Sequence, residues 1–600
     1  MPSTNTPFRI ATPWRGVPAI GPAMLGLAEH ALAFERLANI YRQLEGSATS
    51  TADFAARALD MLEVRFELPA GLLSRIPPAG PAVIVANHPF GGLEGLFLIA
   101  ELMRYRTDVR LLANRVLTRL PALREAFFAV DVLGDEPAAS NFKPVRAALR
   151  HVETGGLLVL FPAGVVSHLH LSAGRICDPP WQRSAARLVR RCACPVVPVY
   201  FGGGNSVIFQ SLGLLHASLR TVMLTRELLN KRRRTIPVRI GQAISAQRLA
   251  RIDDDGALAS FLRMRTYALE ARALPSAYER PCVSTPSTTP VAARLIDAEM
   301  QSLPNGQVLA QVGAMIVVHA RAAQIPWTLR ELGRLREIEF RAVGEGSGRD
   351  ADLDAFDAHY VHLIAYHRER QRIVGAYRLG HVDAICAEQG RRGLYTHTLF
   401  AYGQRFLRQL GPALELGRSF VTREYQKDLS ALLLLWKGIG QYVVRHPQYH
   451  VLFGPVSISR DYHPASRALL LDFLRKHCLD ATLTSAIRPR RKFHRTHSLA
   501  TLNNDLAQLK DIEDISSLLE EIEPDSKGVP VLLRQYLKLG GRLASFNVDA
   551  AFSDAIDALI VVDLHRTDRR VLQKYMGREP MLAFLARSGG DTPQPPAMLP

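Results

Sequence analysis

The chain has 600 residues, of which 48% are hydrophobic and 22% are charged. This composition is that of a globular protein and excludes a disordered or fibrous chain, and the length predicts two or more domains. Lys and Arg number 74 against 56 Asp and Glu, and the net charge of +18 favours anionic partners or reflects a general solubility bias. The anionic partners in question are lipid head groups, an acidic carrier protein or nucleic acid.

The six cysteines are scattered and form no CxxC pair. This pattern argues against a disulfide framework and a zinc site and favours a reduced, cytosolic compartment. The first residues, MPSTNTPFRIATPW, lack the charged and apolar regions of a secretory signal. No apolar run approaches the roughly 20 residues that span a bilayer. We therefore expect a protein that meets a membrane only at its surface.

The first half alternates between predicted helices and strands. Apolar residues at helical spacing predict two amphipathic helices between about Pro22 and Leu68, and DFAARALDMLEVRFEL is the second of them. Short apolar runs then predict buried strands with helices between them, which is the order of an α/β fold. The strands are PAVIVAN, VRLLAN, GLLVLFPAG and PVVPVYFG, and the helices are GLFLIAELMRYR and SAARLVRRCA.

A stretch rich in Pro, Ser and Thr predicts a linker over residues 273–304. It separates a domain at 1–272 from a second domain at 305–600. The second domain has no repeat of the first and is again α/β. Its predicted strands are RIVGAYRLG, ALELGRSFV, YHVLFGPVSIS and DALIVVDL, and its predicted helices are LSALLLLWKGIGQYVVRHP and PASRALLLDFLRKH.

His88 and Glu94 flank a Gly-rich turn that follows the first predicted strand. A histidine oriented by a carboxylate is suited to take the proton of a hydroxyl that attacks a thioester. The backbone N–H groups of Gly91 and Gly92, and of Gly164 in a later turn, are candidates for binding the oxyanion that develops. A lone histidine at a strand end is more often structural, so this alternative stays open for His88 taken by itself.

Three further strands end in turns that carry polar or glycine residues: ANR, FPAG and FGGGNS. The carboxyl ends of parallel strands line the ligand crevice of an open α/β sheet. The guanidinium of Arg115 is placed to hold an anionic head group. The predicted substrate-binding residues of this domain are Asn87, Phe90, Gly91, Gly92, Asn114, Arg115, Phe161, Pro162, Ala163 and Gly164.

The ordered motifs NHPFGGLEG, ANR, FPAG and CPVVPVYFGGGNS resemble the lysophospholipid acyltransferase family. The similarity is greatest to its hemolysin-like branch, which is found in ornithine lipid synthesis. It implies a glycerolipid-acyltransferase-like αβ domain that esterifies a lipid hydroxyl. In this interpretation His88 is the general base and Glu94 its orienting partner.

The motifs ELGRSFV, REYQ, LLWKGIG and LFGPVSIS in the second half resemble the GNAT fold. They are most similar to the branch of long-chain N-acyltransferases that makes lyso-ornithine lipid. In KGIG, the backbone of Lys437, Gly438 and Gly440 is predicted to hold the phosphopantetheine of an acyl carrier. The alternative is that these glycines allow close packing of a helix against its neighbours.

GNAT chemistry is the direct attack of an amine on a thioester. Glu415 is the candidate acceptor of the amine proton, with a salt bridge to Arg418 or Arg423 as the alternative. Arg418 and Arg423 are candidates for binding the carboxylate of the acceptor or an acidic carrier.

Together the two halves resemble the two-domain ornithine lipid synthases of bacteria. This resemblance implies N-acylation of ornithine with a 3-hydroxyacyl group by the second domain, followed by O-acylation of the lyso-ornithine lipid by the first. It implies acyl carrier protein, or possibly acyl-CoA, as donor substrate, with no bound cofactor and no metal. We expect a cytoplasmic enzyme on the inner face of the bacterial membrane, where basic clusters such as KRRR contact anionic lipid.

Three alternatives stay open at this point. In the first alternative, the acceptor of the first domain is a glycerophospholipid. In the second, the acceptor of the second domain is another amino acid. A non-enzymatic, membrane-active hemolysin is a third possibility. Nucleic-acid binding is disfavoured, because no recognition motif accompanies the basic clusters.

Overall fold

The computed structural model describes residues 34–45, 47–115, 117, 120–130, 137–170, 174–215, 217–273, 288–426, 429–493, 511–523 and 525–587. These residues form two compact units, the first mostly before residue 276 and the second mostly after it. Both units contain helices and strands, as predicted. The boundaries 1–272, 273–304 and 305–600 stay predictions. Within the described ranges, no helix has the length and apolar character needed to cross a membrane.

The first unit is built around one large sheet. Its strands are β1 (Arg65–Glu67), β2 (Ala82–Ala86), β3 (Val109–Asn114), β4 (Phe127–Val130), β5 (Leu157–Leu160), β6 (His168–His170), β7 (Arg175–Cys177), β8 (Val196–Phe201) and β9 (Thr235–Ile240). Seven of them form a sheet in the order β1-β9-β8-β2-β5-β3-β4, in which only β8 and β9 pair antiparallel. Strands β6 and β7 form a separate hairpin.

Helices accompany this sheet. They are Phe34–Glu45, Thr51–Met61, Leu93–Tyr105, Pro137–Glu153, Arg183–Cys192, Val207–Leu215, Ala217–Leu229, Ala246–Ala250 and Asp255–Ala273. Every residue of β2 is buried, which explains its continuous apolar run. The parallel order of β2, β5 and β3 brings their carboxyl ends to one edge of the sheet. That edge carries His88, Phe161 and Asn114.

The second predicted helix is shorter than its apolar pattern suggests. It ends at Met61, Glu63 adopts a left-handed φ of 52°, and Arg65–Glu67 then forms β1 beside β9. In VRFEL the apolar residues alternate with charged ones, which is the period of a strand. Val64 is buried, and the ring of Phe66 stacks on that of Phe97. The part of the first predicted helix before residue 34 lies outside the described residues.

The second unit contains a larger, mostly antiparallel sheet. Its strands are β10 (Val308–Val312), β11 (Met315–Arg321), β12 (Val361–His367), β13 (Arg372–His381), β14 (Phe400–Tyr402), β15 (Ala413–Val421), β16 (Val451–Ile458), β17 (Ile487–Pro489), β18 (Arg542–Asp549) and β19 (Ala555–Asp563). The eight-stranded sheet has the order β10-β11-β12-β13-β15-β16-β19-β18, and β14 pairs with β17. Only β15 and β16 are parallel neighbours in the large sheet.

The helices that the structure gives for this part of the chain are Ala293–Ser302, Pro326–Ala342, Val382–Gln389, Thr396–Leu399, Gln404–Leu410, Arg423–Gln426, Leu429–Arg445, Pro464–His477, Ala481–Ser485, Ile512–Ile522, Val531–Lys538, Arg569–Met576 and Arg578–Ala586. The first of them falls inside the predicted linker. Its Ile296 and Met300 are one helical turn apart and are buried in a hydrophobic core, so this part of the segment is structured. Residues 274–287 of the linker lie outside the described ranges.

Candidate active sites

His88 lies two residues beyond the carboxyl end of β2, and Phe161 lies directly beyond that of β5. Because these strands are parallel neighbours, the two side chains meet. The centroids of their rings are 4.4 Å apart with an interplanar angle of 33°. About a fifth of the His88 side chain, 18%, remains exposed, so the imidazole is held on one side and open on another. Two separate predicted turns therefore belong to one site.

Glu94 lies in the first turn of the helix Leu93–Tyr105 and is fully buried. Its Oε1 atom is 3.5 Å from Nδ1 of His88. The same carboxylate accepts hydrogen bonds from the backbone N–H groups of Phe90, Gly91 and Gly92, the last at 3.1 Å. The turn that the sequence places between His88 and Glu94 thus folds around the carboxylate and fixes it beside the imidazole.

Glu94 and protonated His88 each stabilise the charged form of the other. Burial lowers the pKa of His88, but the negative charge of Glu94, aided by Asp178, outweighs burial and raises the pKa above its usual value. Burial raises the pKa of Glu94, but His88 and the backbone N–H of Phe90 outweigh it and lower the pKa. Glu94 therefore stays ionised and stabilises the imidazolium that forms when His88 accepts a proton.

Asp178 is a buried member of this site that the sequence analysis missed. Its Oδ1 accepts the backbone N–H of His88 at 3.2 Å and the hydroxyl of Ser167. Its Oδ2 accepts Trp181 Nε1 at 2.9 Å, and the backbone N–H of Ser167 donates to the carbonyl of His88 at 2.8 Å. The signal in the sequence is an acidic residue in the apolar and proline-rich run ICDPPW. Asp178 anchors the backbone that carries the base.

The glycine N–H groups predicted to bind an oxyanion donate to acceptors within the chain, and their role toward an oxyanion stays a prediction. Gly91 and Gly92 donate to Glu94, and Gly164 donates to the carbonyl of Phe161 at 3.0 Å. The glycines also serve the shape of the turns. Gly91 and Gly164 have φ angles of +92° and +70°, and a Cβ on Gly164 would lie 2.2 Å from Nε2 of Gln182.

Both polar side-chain atoms of Asn87 are hydrogen-bonded within the protein. Its Nδ2 donates to the carbonyl of Phe201 at 2.8 Å and its Oδ1 accepts the Phe201 N–H at 2.7 Å, so it joins the ends of β2 and β8. This geometry gives Asn87 a structural role, and its assignment as a substrate ligand stays a prediction. Phe90 is buried in the core, with the ammonium of Lys231 5.7 Å from its ring centroid.

The remaining predicted ligands of this domain surround the same sheet edge. The carbonyls of Pro162 and Ala163 accept the backbone N–H and the side-chain Nε2 of Gln182, at 3.0 and 3.4 Å. Asn114 and Arg115 end β3, which β5 separates from β2. Arg115 is exposed there. These two residues share the edge with His88 without belonging to its immediate surroundings.

Glu415 of the second unit is enclosed in the protein, with 1% of its surface exposed. Its carboxylate accepts the hydroxyl of Tyr360 and the backbone N–H groups of Tyr395, at 3.2 Å, and Thr396. These partners replace the salt bridge to Arg418 or Arg423 that was the alternative. Burial raises the pKa of Glu415, and its hydrogen bonds offset that rise only in part.

Arg418 is buried and already neutralised. Its Nε lies 2.8 Å from Oδ2 of Asp352, its Nη2 lies 3.2 Å from Oδ2 of Asp354, and its Nη1 donates to the hydroxyl of Tyr395 at 3.0 Å. Its backbone adopts a left-handed φ of 48°, a strained conformation for a residue with a side chain. Its assignment as the ligand of a substrate carboxylate stays a prediction, in which these two aspartates compete for the same guanidinium. Arg423 is exposed at the start of the helix Arg423–Gln426.

The KGIG motif lies at a close packing contact, and the prediction that its backbone holds an acyl carrier stays a prediction. Lys437, Gly438 and Gly440 lie in the middle of the helix Leu429–Arg445, where each N–H bonds to the carbonyl four residues earlier. A Cβ on Gly438 would lie 2.5 Å from Cγ1 of Val317. A Cβ on Gly440 would lie 3.1 Å from the carbonyl oxygen of Tyr575. The alternative of close helix packing therefore describes both glycines.

One group of possible metal ligands occurs within the described ranges. The ligand atoms of His450, Asp563 and His565 lie within 4.8 Å of one another. The two imidazole rings are stacked, with centroids 4.1 Å apart and an angle of 17° between them. Nδ1 of His450 contacts Oδ1 of Asp563 at 3.2 Å. Stacking directs the ring nitrogens along parallel planes, which suits a hydrogen-bonded cluster better than a shared ion.

Comparison with protein families matches both halves of the chain. Residues 59–274 match an acyltransferase family and residues 335–437 match the acetyltransferase (GNAT) domain family. These matches confirm the predicted fold class, an acyltransferase domain followed by a GNAT domain, and they identify the chain as an acyltransferase.

The chain is similar to relatives named as N-acyltransferases and to relatives named as O-acyltransferases. A glycine N(alpha)-acyltransferase of Bacteroides thetaiotaomicron is 34% identical over 47% of this chain and 87% of its own length. A glycine N(alpha)-acyltransferase of Phocaeicola vulgatus is 33% identical over 41% of this chain and 79% of its own. A lyso-glycine lipid O-acyltransferase of the same species is 27% identical over 36% of this chain and 77% of its own. Through the first two relatives, the chain belongs to the family of N-acyltransferases that includes them.

Proposed function

We propose that this chain makes an ornithine lipid in two steps. The second unit transfers a 3-hydroxyacyl group from acyl carrier protein to the α-amine of ornithine. The first unit then acylates the 3-hydroxyl of that product. The proposal is carried by the His88–Glu94 pair on an acyltransferase domain fused to a GNAT domain, because relatives of the chain are named for an amide-forming and an ester-forming step.

In the O-acylation step, Nε2 of His88 takes the proton of the lipid hydroxyl while the oxygen attacks the thioester carbonyl. The imidazolium then returns this proton to the departing thiolate, so one ester forms and one thioester is cleaved. Glu94 and Asp178 stabilise the positive charge between the two events. The open side of His88 gives the hydroxyl access to the base.

In the N-acylation step, a neutral amine attacks the thioester carbonyl, the amide forms as the C–S bond breaks, and the proton lost by the amine ends on the departing thiolate. Glu415 remains the proposed acceptor of that proton, since its raised pKa favours proton uptake. Its carboxylate contacts the hydroxyl of Tyr360, which is itself buried.

The donor and the location are also proposals. A net charge of +18 suits both an acidic carrier protein and the anionic inner face of a bacterial membrane. Holding both activities in one chain keeps the singly acylated intermediate at a high effective concentration near the second site.

Glycine is a second candidate acceptor, because the relatives in the N-acyltransferase family are named for it. Incubation of the purified full chain with radiolabelled ornithine or glycine, and with 3-hydroxyacyl carrier protein or 3-hydroxyacyl-CoA, tests the proposal. We expect ornithine and the carrier protein to give an amide-linked lipid, which a second acyl donor converts to the diacyl form. Amide formation from glycine alone would replace ornithine as the acceptor. Ester formation on a lysophospholipid alone would contradict the two-step account.

A further inference from the structure

The two parallel strands of the second unit separate midway along their length. Strands β15 and β16 pair only at three positions, from Ala413 opposite Val451 to Glu415 opposite Phe453. Beyond these three positions β15 continues beside its partner β13, and β16 continues beside its partner β19. Arg418 lies on the diverging part of β15 and Ser457 on that of β16, so the sheet opens between them.

Arginines and aspartates near this opening balance in number. Each of three buried arginines is paired with aspartates, and each of three aspartates is used by them. The ion pairs are Arg336 with Asp357, Arg378 with Asp354 and Asp357, and Arg418 with Asp352 and Asp354. Their charges therefore sum to zero, and the charge of Arg418 only partly offsets the burial that raises the pKa of Asp549 and Asp557.

A second set of carboxylic acids lies outside this balance: Glu345, Asp549 and Asp557. Ser457 of β16 lies opposite Asp557 of β19, which lies opposite Asn547 of β18, so the three side chains project from one face of the sheet. Ser457 Oγ donates to Oε2 of Glu345 at 2.7 Å. Asp549 follows two residues after Asn547 on the same face. All three acids are more than nine-tenths buried.

Among these three acids, Asp557 has the smallest exposed fraction. It is 7% exposed, and its Oδ2 atom has no hydrogen-bond partner among the described residues. Burial, and then the charges of Asp549 and Glu345, raises the pKa of Asp557 well above its usual value. Burial raises the pKa of Glu345 to about 7. Buried carboxylates without a cation are costly, and a bound ammonium group would relieve that cost.

We propose that Glu345, Asp549 and Asp557 form a binding site for the side-chain ammonium group of a diamino acid, the acceptor of the N-acylation reaction. This inference rests on the proposed function and adds a specificity site to it. The attacking α-amine must be neutral, so the charge that needs a permanent counterion is the one on the side chain. Glycine has no such group and gains nothing from the three carboxylates.

Two measurements on the full chain test this site. Isothermal titration calorimetry measures ornithine and glycine binding without an acyl donor, and initial rates give kcat/KM for each amino acid with one donor. The variants are Asp557→Asn and Glu345→Gln. The control is Asp297→Asn, which removes a carboxylate of the same unit that accepts the hydroxyl of Tyr366. Thermal unfolding monitors the fold of each variant.

The expected result is that the unmodified protein favours ornithine over glycine by about tenfold or more in kcat/KM. Asp557→Asn and Glu345→Gln reduce ornithine binding and kcat/KM by about tenfold or more, with glycine rates changed less than about threefold. Their melting temperatures stay equal or rise, because a destabilising buried acid is removed. Asp297→Asn leaves the preference unchanged.

Equal use of glycine and ornithine, unaffected by Asp557→Asn, would overturn the site while leaving an aminolipid synthase. A fall in melting temperature with an unaltered preference would assign the acids a structural role and overturn the site as well. A third outcome is that the protein binds ornithine but makes no amide, and that Asp557→Asn abolishes the binding. This result would support the site and count against the proposed function.

Discussion

The carboxylate of Glu94 accepts the backbone N–H groups of the turn that separates it from His88, and its Oε1 lies 3.5 Å from His88 Nδ1. The turn, the helix start and the base are therefore one unit of structure. Changes to the carboxylate affect both the charge of the imidazole and the conformation of the loop.

Glu94→Gln tests the electrostatic part of this relationship. Without the negative charge, burial dominates and the pKa of His88 falls, so the acidic limb of the O-acylation rate moves to lower pH. The maximal rate falls by on the order of 10²-fold or more, because the imidazolium loses its stabilising partner. A pH–rate profile of ester formation measures both effects. An unchanged profile would remove Glu94 from the mechanism.

The same pair makes stability depend on pH in a defined direction. The folded-state pKa of His88 is raised above its ordinary value of 6.5, so its contribution to stability is complete below that value. This contribution is lost as the pH rises through the raised pKa. The loss should be absent in Glu94→Gln when denaturant unfolding is compared across this pH range.

Asp178→Asn tests the anchoring of the base. The amide cannot accept from both Ser167 and Trp181 as the carboxylate does, so one donor is left unsatisfied. We expect the free energy of unfolding to fall by about 1–3 kcal/mol and O-acylation to slow by about tenfold. Amide formation by the same molecules provides the control and should be unchanged. Equal loss of both reactions would indicate general unfolding instead of misplacement of His88.

Glu415→Gln separates a catalytic from a structural role. The raised pKa of Glu415 predicts that N-acylation declines as the pH falls through that value, because the protonated acid accepts no proton. In the variant we expect N-acylation to fall by on the order of 10²-fold. The exposed Glu388→Gln serves as control. If the variant is less stable but N-acylates at a near-normal rate, Glu415 has only a structural role, as hydrogen-bond acceptor for Tyr360 and Thr396.

Gly438→Ala tests whether the KGIG motif packs or binds. The added methyl group meets Val317, and overpacking of this kind costs about 1–3 kcal/mol of stability. We expect a lower melting temperature with an unchanged KM for the acyl donor. Gly306→Ala, where a Cβ meets nothing within 4 Å, is the control. A raised KM at unchanged stability would contradict the packing assignment.

The sequence predicted the parts of the sites that are local in the chain. His88 and Glu94 are six residues apart, and the apolar run of β2 predicts the strand that precedes His88. Asp178 lies 90 residues from His88 and meets it only through folding, so the acidic residue in ICDPPW does not by itself indicate which residue it contacts. The row from Ser457 to Asp557 and Asn547 likewise depends on strand pairing across about a hundred residues.

The sites predicted from glycine patterns share one physical ambiguity. A glycine pattern does not distinguish a ligand-binding turn from a closely packed helix, because both require the absence of a side chain. Gly91 and Gly438 both lie in such patterns, but the N–H of one is used by Glu94 and that of the other belongs to a helix interior. Tertiary partners decide which role applies.

The most direct test of the two-step account is lipid analysis of a bacterium that lacks aminolipids and expresses the full chain or its His88→Ala variant. Mass spectrometry should find a diacylated ornithine lipid with the unmodified chain, and only the singly acylated, amide-linked lipid with the variant. His151→Ala, which alters a histidine bonded to the Asp108 carbonyl at the opposite edge of the sheet, should still give the diacyl product. Diacyl lipid from His88→Ala, or no aminolipid from folded, unmodified protein, would contradict the account.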